Sequence, residues 1–358
     1  RGKGTEGTKR TEGTDGCGGA GVGSGGGAGA LAGGGGIRDG GVMRPRTLFF
    51  GTGDIAVPSL AGLLENPAVE VIGLLCQPDK PVGRKQILTP PPTKVLALER
   101  GIPVYQPERL RGAVDLVAGL GAELIVVMAY GQIIPQSVLD LPRLGCWNLH
   151  ASLLPRHRGA APVQAAILEG DAESGITVMA VEAGLDSGPM LHHEKITLAA
   201  DETGETLHDR LALLAPVALA AALPAILSGR PEVSPQNPAE ATHIGKLDRS
   251  HGVFDWTRSA QELGRRIRAF HPWPGTSSVL PDGTVVKIFP PVSVREESSG
   301  CPLPGTLIQA GPDELLFATG DGILGISEIQ LPGARRMKIR DHLAGHVRQT
   351  GERWGAGG

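Results

Sequence analysis

Cysteine is scarce in this chain. Its 358 residues include four, Cys17, Cys76, Cys146 and Cys301, with no CxxC or other metal-ligand spacing among them, which argues against a thiolate metal centre. Cys76 and Cys146 lie in apolar runs, where a reduced, buried thiol is the ordinary reading. That favours a reducing, cytoplasmic compartment. Long apolar runs are missing too. None approaches the ~20 residues of a membrane-spanning helix, and residues 28–32 are too few for the apolar core of a signal peptide. No internal repeat is visible. A strong charge of one sign is also absent, the net being −3, so composition alone names no polyanionic partner.

What is present is enough chain for two domains, with 41% of residues apolar and therefore material for real cores. Charge is unevenly spread. Residues 43–243 carry 15 Lys+Arg against 21 Asp+Glu, a net of −6, whereas residues 244–358 carry 14 against 12, a net of +2. An acidic body joined to a mildly basic tail domain is compatible with a polyanion at one end. Residues 1–42 stand apart. Nineteen of them are glycine, and a segment with so little apolar surface cannot offset its chain entropy, so disorder is expected. Met43, just ahead of the first convincing strand, reads as the natural start of the folded protein.

From there the pattern alternates. Strands are predicted over residues 47–50, 69–76, 104–106, 124–128 and 145–150, with helices over 58–64, 92–100 and 115–119 between them. The 124–128 run is apolar throughout, as in strands covered on both faces. Such alternation predicts a doubly wound, mostly parallel, Rossmann-like α/β sheet over residues 43–228, in which ligands bind beyond the carboxyl ends of the strands. Strands at 176–181 and 190–197 and a long Ala/Leu-rich helix over 206–227 complete that domain. Residues 229–243, with Pro231, Pro235 and Pro238, have linker composition. Next comes a basic amphipathic helix over 259–270, carrying Arg265, Arg266 and Arg268. Short β-like segments at 276–280, 285–289, 305–309, 315–318 and 323–329 then predict a small OB-like β-barrel within residues 244–345. Residues 346–358 are left as a tail.

The most informative stretch is Asn148-Leu149-His150-Ala151-Ser152-Leu153-Leu154-Pro155, followed further on by Gly184-Leu185-Asp186-Ser187-Gly188. Side chains two apart on a strand share a face, so Asn148 and His150 point into one space. Asn148 offers an amide donor to a developing oxyanion. His150 titrates near neutrality and can act as acid, base or electrostatic stabiliser. Asp186 supplies a carboxylate for proton transfer. Each alone has a commoner structural reading: an Asn closing a strand, a lone His at a strand end, an Asx-turn. Only the joint pattern is specific.

That joint pattern resembles the Asn–His–Asp set of the folate-dependent formyltransferase superfamily. Ser152-Leu153-Leu154-Pro155 matches the segment bordering its folate site, and Ala129-Tyr130-Gly131-Gln132-Ile133-Ile134-Pro135 looks like the loop that lines its pterin pocket with backbone groups. Three further stretches resemble the branch that formylates methionyl-tRNA. They are Gln77-Pro78-Asp79-Lys80-Pro81-Val82-Gly83-Arg84, similar to a basic acceptor-arm loop, Arg156-His157-Arg158-Gly159-Ala160-Ala161-Pro162, and Ile267-Arg268-Ala269-Phe270-His271-Pro272-Trp273-Pro274 at the entry to the C-terminal barrel. The resemblance implies 10-formyltetrahydrofolate as donor and initiator methionyl-tRNA as acceptor, with no metal, DNA or membrane, in a cytoplasmic monomer. It implies Asn148, His150 and Asp186 as catalytic residues. Folate contacts would come from Ser152, Leu153, Leu154, Pro155, Tyr130, Gln132, Ile133 and Ile134, and tRNA contacts from Lys80, Arg84, Lys85, Arg265 and Arg268, with Lys94 adding charge near the loop.

Two departures stand out. The loop continues Gly83-Arg84-Lys85-Gln86 where the family has Gly-Arg-Gly, removing a position tolerant of positive φ, so a different path is expected near Lys85. The first βα turn, Gly51-Thr52-Gly53-Asp54-Ile55-Ala56, satisfies the dinucleotide fingerprint where the family has Gly-Thr-Pro. A nicotinamide oxidoreductase is therefore a rival, but the acidic residue expected after the second strand is replaced by Cys76-Gln77, and the Asn–His–Asp set has no role in it. A non-catalytic RNA-binding protein is opposed by the intact acid-base residues. A sugar-nucleotide formyltransferase or a formyl-tetrahydrofolate hydrolase shares the triad but not the basic loop and barrel.

Overall fold

The computed structural model describes residues 44–83, 85–296 and 302–355. The Gly-rich leader, Met43, Arg84, Cys17, Cys301 and the end of the tail lie outside that range. Seven strands form the first sheet. Across it they run Met190–Thr197, Glu173–Ala180, Cys146–His150, Leu124–Met128, Arg46–Gly51, Glu70–Leu75 and Val104–Tyr105. The five strands from Cys146–His150 to Val104–Tyr105 are parallel, and the last two additions pair antiparallel. The order reverses between Arg46–Gly51 and Leu124–Met128, giving the doubly wound, mostly parallel sheet that strand-helix alternation predicts.

Alternation of side chains splits the core between the two faces. Leu124, Val126 and Met128 join Phe49 and the helical residues Leu60, Leu211 and Ala215 on one side. Ile125 and Val127 join Leu48, Phe50 and Leu110 on the other. The long helix Gly204–Leu227 begins at a Thr203 capping box with Thr206 and packs on the first of these faces. By length and composition it could cross a bilayer, contrary to the expectation that no such run exists. Its buried stripe of Leu207, Leu211, Ala215, Leu219 and Leu223 is the domain's own core.

The C-terminal region has a separate antiparallel sheet in the order Thr276–Val279, Val285–Arg295, Ile323–Gln330, Leu315–Ala318 and Leu307–Ala310, with Met337–Lys338 pairing the edge of Ile323–Gln330. Its core is built around Trp256, Phe317 and Trp354, whose rings lie 5.0 and 4.5 Å apart in sequence of contact. The helix Ala260–Ala269, capped by Ser259, joins the domains. It packs on the helix Pro162–Glu169 of the first domain, which composition did not signal and which opens with proline and ends at the left-handed Gly170.

The junction uses the arginines expected on the tRNA side. Arg265 donates to the carbonyl of Glu169 at 3.2 Å, Arg268 to that of Glu202 at 2.9 Å, and Arg266 to that of His251 at 2.7 Å. Arg265 and Arg268 thereby fasten one domain to the other, while Arg266 bonds within the C-terminal region. This is a structural duty that the charge pattern of a single helix could not reveal.

Candidate active site

The site is built on the strand Cys146–His150. Asn148, half-buried, pairs in register with Met179, and His150, buried, pairs with Thr177. Spaced two apart, the amide and the imidazole share one face, as the sequence predicts. Asp186 arrives on the turn between the two antiparallel strands, and its Oδ1 lies 3.7 Å from His150 Nδ1. Both side chains are largely shielded, with 6% of His150 and 16% of Asp186 exposed. All three members of the proposed set therefore come together, although Asp186 is distant in sequence.

Hydrogen bonds fix the orientation of each. His150 Nε2 lies 2.9 Å from the carbonyl oxygen of His157. A carbonyl only accepts, so Nε2 carries the proton and Nδ1 is the nitrogen turned toward Asp186. The Gly159 backbone N–H donates to Asp186 Oδ2 at 2.9 Å, leaving Oδ1 for the imidazole side. Asp186 itself has φ +50°, a left-handed conformation that costs a non-glycine residue about 1–3 kcal/mol and persists where surroundings over-determine it. The Asn148 amide makes no hydrogen bond with protein among the described residues, so its donors remain free for a ligand.

Residues 152–158 brace the strand's end. Thr177 Oγ1 donates to the Ser152 carbonyl at 2.6 Å and accepts from the Leu154 N–H at 3.0 Å. Ser152 Oγ donates to the Arg156 carbonyl at 2.7 Å. His157 and Arg156 both reach Asp171, at 2.6 and 2.7 Å. Ser152 and Leu154 are buried, with Leu153 and Pro155 half-buried, so this segment offers an edge more than a row of side chains. Thr177, Gly159 and the His157 carbonyl were not singled out from sequence. No pattern marks a backbone donor, a backbone acceptor or a strand threonine as part of a site.

The loop at residues 129–135 is tied down from within. Tyr130 is buried with its ring 5.2 Å from that of Phe50, and burial pushes its hydroxyl up to about 12. Its carbonyl accepts from Thr52 Oγ1 at 2.9 Å and from Gln77 Nε2 at 3.0 Å. Gln132 ties the loop down, accepting from Leu110 N–H at 2.8 Å and donating to the Pro107 carbonyl at 3.1 Å. Ile134 packs beneath, and Ile133 is 85% exposed. Leu185, beside Asp186, is 67% exposed.

The basic loop forms a short hairpin, Lys80–Val82 against Ile87–Thr89. Positive φ falls on Gly83 and on Gln86, and Gln86 Nε2 donates to the Gly83 carbonyl at 2.7 Å, so the turn closes without a second glycine. Lys80 is bonded to Gln77. Lys85 is exposed, and Arg84 lies outside the described residues. Lys94 does not add to this charge. It is half-buried and paired with Asp79 at 2.8 Å and with Gln106 at 2.8 Å, anchoring the hairpin's base. Among the described residues no three His, Cys, Asp or Glu side chains are grouped as a metal site would require. At the first βα turn, a Cβ on Gly51 would meet the Phe49 ring and lie 3.0 Å from the Met128 carbonyl, so close strand packing alone accounts for that glycine.

Comparison with known proteins accords with this architecture. Residues 44–223 match the family model described as formyl transferase, and residues 246–347 match the formyl transferase C-terminal domain. The chain is 47% identical over 299 residues to the methionyl-tRNA formyltransferase of Pseudomonas putida (strain GB-1), covering 83% of this chain and 94% of that protein. It is 46% identical over 307 residues to the one from Akkermansia muciniphila, covering 84% and 96%. Among solved structures, WlaRD, a sugar 3N-formyl transferase, superposes with TM-score 0.60 at 17% identity over 81% of this chain and 99% of its own. The N-formyltransferase from Helicobacter canadensis, in complex with folinic acid and dTDP-3-aminofucose, gives 0.59 at 18% over 82% and 100%. The solved structures speak to fold alone; the sequence matches go further, and on them this chain belongs to the formyl transferase family, in its methionyl-tRNA formyltransferase branch.

Proposed function

We propose that the chain transfers the formyl group of 10-formyltetrahydrofolate to the α-amino group of methionine carried by initiator tRNA, yielding N-formylmethionyl-tRNA for translation initiation. The observation that carries this reading is the cluster itself: a free Asn148 amide, and a His150 Nδ1 that faces Asp186 at 3.7 Å while Nε2 is committed to a carbonyl. The donor supplies a formyl carbon already activated toward an amine. Asn148 donates to the formyl oxygen as negative charge develops there during attack, and His150 stabilises the same charge when Nδ1 also carries a proton. Asp186, whose carboxylate faces His150 Nδ1 at 3.7 Å, takes the proton from the attacking amine; the adduct then collapses, the bond between the formyl carbon and N10 of the donor breaks, and N10 leaves with a proton as tetrahydrofolate. The walls suit the rest of the donor. Ile133 and Leu185 present apolar surface to a flat heterocycle, and residues 129–135 and 152–155 offer backbone groups along its edge.

The acceptor is far larger than this pocket, so its position must come from surface contacts. We assign these to Lys80, Arg84 and Lys85 on the exposed hairpin, and to the C-terminal sheet domain, which we read as an OB-like barrel. Arg265 and Arg268 are better assigned to the domain junction. Monomeric action in the cytoplasm fits the buried thiols of Cys76 and Cys146. An acceptor test decides the reading. With 10-formyltetrahydrofolate supplied, formyl transfer is expected to methionyl-tRNA; transfer only to a 4-amino sugar nucleotide, or hydrolysis in water alone, would sink it.

A further inference from the structure

The 229–243 stretch reads as a linker, yet it lies against the active site. Ser234 exchanges two backbone hydrogen bonds of 2.8 Å with Met190. Thr242 accepts the His157 N–H on its Oγ1 at 2.8 Å and the Arg158 N–H on its carbonyl at 2.9 Å. His243–Ile244 then pairs in parallel with Arg158–Gly159. Between these anchors Gln236 is buried, 8% exposed. Its Nε2 donates both hydrogens, to the carbonyls of Asp186 and Gly188, at 2.8 Å each, and its Oε1 accepts from Arg158 Nε at 2.9 Å. Every polar atom of this amide is used, and two of its bonds grip the backbone of the turn that carries the carboxylate.

We propose that Gln236 is a positioning residue that holds Asp186 in its left-handed conformation and so sets the carboxylate against His150. The reasoning is one of supply and need. Asp186 at φ +50° requires restraint. Its side chain has one backbone donor, Gly159, and its own carbonyl is fixed by Gln236 alone among the described residues. A methionine or glutamate of similar size fills the same space without offering two N–H donors. The turn is then free to relax toward ordinary φ, which swings the carboxylate away from Nδ1. A displacement of about 1 Å at a reacting group can cost about 10²-fold in rate.

The inference rests on the proposed role of Asp186, and the test separates the two. Gln236→Met and Gln236→Glu are compared with wild type for kcat, KM for 10-formyltetrahydrofolate, KM for methionyl-tRNA, and Tm. Both variants are expected to lose about 10–10²-fold in kcat with the donor KM within about threefold. Gln236→Glu carries a signature that a purely structural role would not. Its kcat relative to wild type should recover as pH falls toward about 5, because a protonated carboxyl regains one donor. In a double-mutant cycle, Gln236→Met should cost little once Asp186 is already Asn. Wild-type kcat in a stably folded Gln236→Met, or a full and additive loss in the Asp186→Asn background, overturns the positioning role. Should Gln236→Met fail to fold, the pH recovery and the same cycle with Gln236→Glu decide it. Near-normal turnover in Asp186→Asn alone would instead remove Asp186 from the mechanism, whatever Gln236 does.

Discussion

The acid-base cluster and the basic hairpin are built on opposite principles. Around His150 and Asp186 the imidazole Nε2, the carboxylate Oδ2 and the Asp186 carbonyl each have a protein partner, the two side chains are shielded from water, and support comes from a strand, a turn and the 229–243 segment together. The hairpin Lys80–Val82 and Ile87–Thr89 is exposed along its length, with Val82, Ile87 and Leu88 each more than half accessible. A reaction needs groups fixed to within fractions of an ångström. A large polyanion needs charge that can adapt to its surface, and phosphate contacts carry affinity without demanding a rigid frame. Under the proposed roles, the shielded and braced groups serve the reaction and the exposed ones serve the polyanion.

Breaking the rigid half should have the largest effect. Asp186→Asn keeps the shape and the Gly159 contact yet removes the base, and His150→Ala removes the imidazole; each should lower kcat by about 10²–10⁴-fold. Asn148→Ala should cost about 10²–10³-fold as the loss of one oxyanion donor. Rapid-quench measurement of formyl transfer, with Tm as a check on folding, reads all three. Near-wild-type turnover in any variant removes that residue from the chemistry.

The adaptable half should fail differently. Replacing Arg84 and Lys85 by Ala should weaken methionyl-tRNA binding, lower the slope of log affinity against log salt by about 1–2, and leave kcat at saturation and the donor KM unchanged. Equilibrium binding across a salt series tests it. An unchanged slope would make the hairpin a solvated surface. Arg268→Ala sharpens the contrast from the junction side. Losing its charged hydrogen bond to the Glu202 carbonyl should reduce stability by about 1–3 kcal/mol, measured by urea unfolding, with less effect on tRNA affinity than the hairpin double variant. The reverse ranking would return Arg268 to the tRNA-binding surface.

The same contrast explains what the sequence disclosed. A continuous apolar run placed Leu124–Met128, because burial on two faces leaves one, and Cys146–His150 followed as the next strand in the alternation. Asn148 and His150 were legible because spacing two is a property of any strand. The partners of Asp186 and His150 were not, since Gly159 and His157 act through backbone atoms that every residue has. Gln236 was hidden by three nearby prolines that read as linker, a local signal that says nothing of long-range contacts. Arg265 and Arg268 show the opposite case. Charge on a helix face is visible locally, whereas the carbonyls of Glu169 and Glu202 that consume it come from the other domain.

The smallest expected effect concerns pH and the C-terminal domain, where a buried histidine serves packing and not chemistry. His342 is fully buried beside the Trp354 core and stacks on His346 at 4.6 Å. Arg348 Nε donates to its Nε2 at 3.1 Å, so that nitrogen must hold a lone pair and the ring is neutral. Burial, followed by the nearby Arg348 and His346 charges, pushes its pKa down to about 4 from an ordinary 6.5, with Glu352 opposing. The unfolded chain then binds a proton at this site from about pH 6.5 downward while the folded chain does not until about pH 4. Unfolding is thus favoured progressively as pH falls through that window, and stability contributed by the neutral ring is complete only above it. Acid titration of urea midpoints should show this loss, and His342→Gln, which cannot titrate, should flatten it while lowering the plateau at neutral pH. An equally steep loss in His342→Gln would assign the acid sensitivity to other groups.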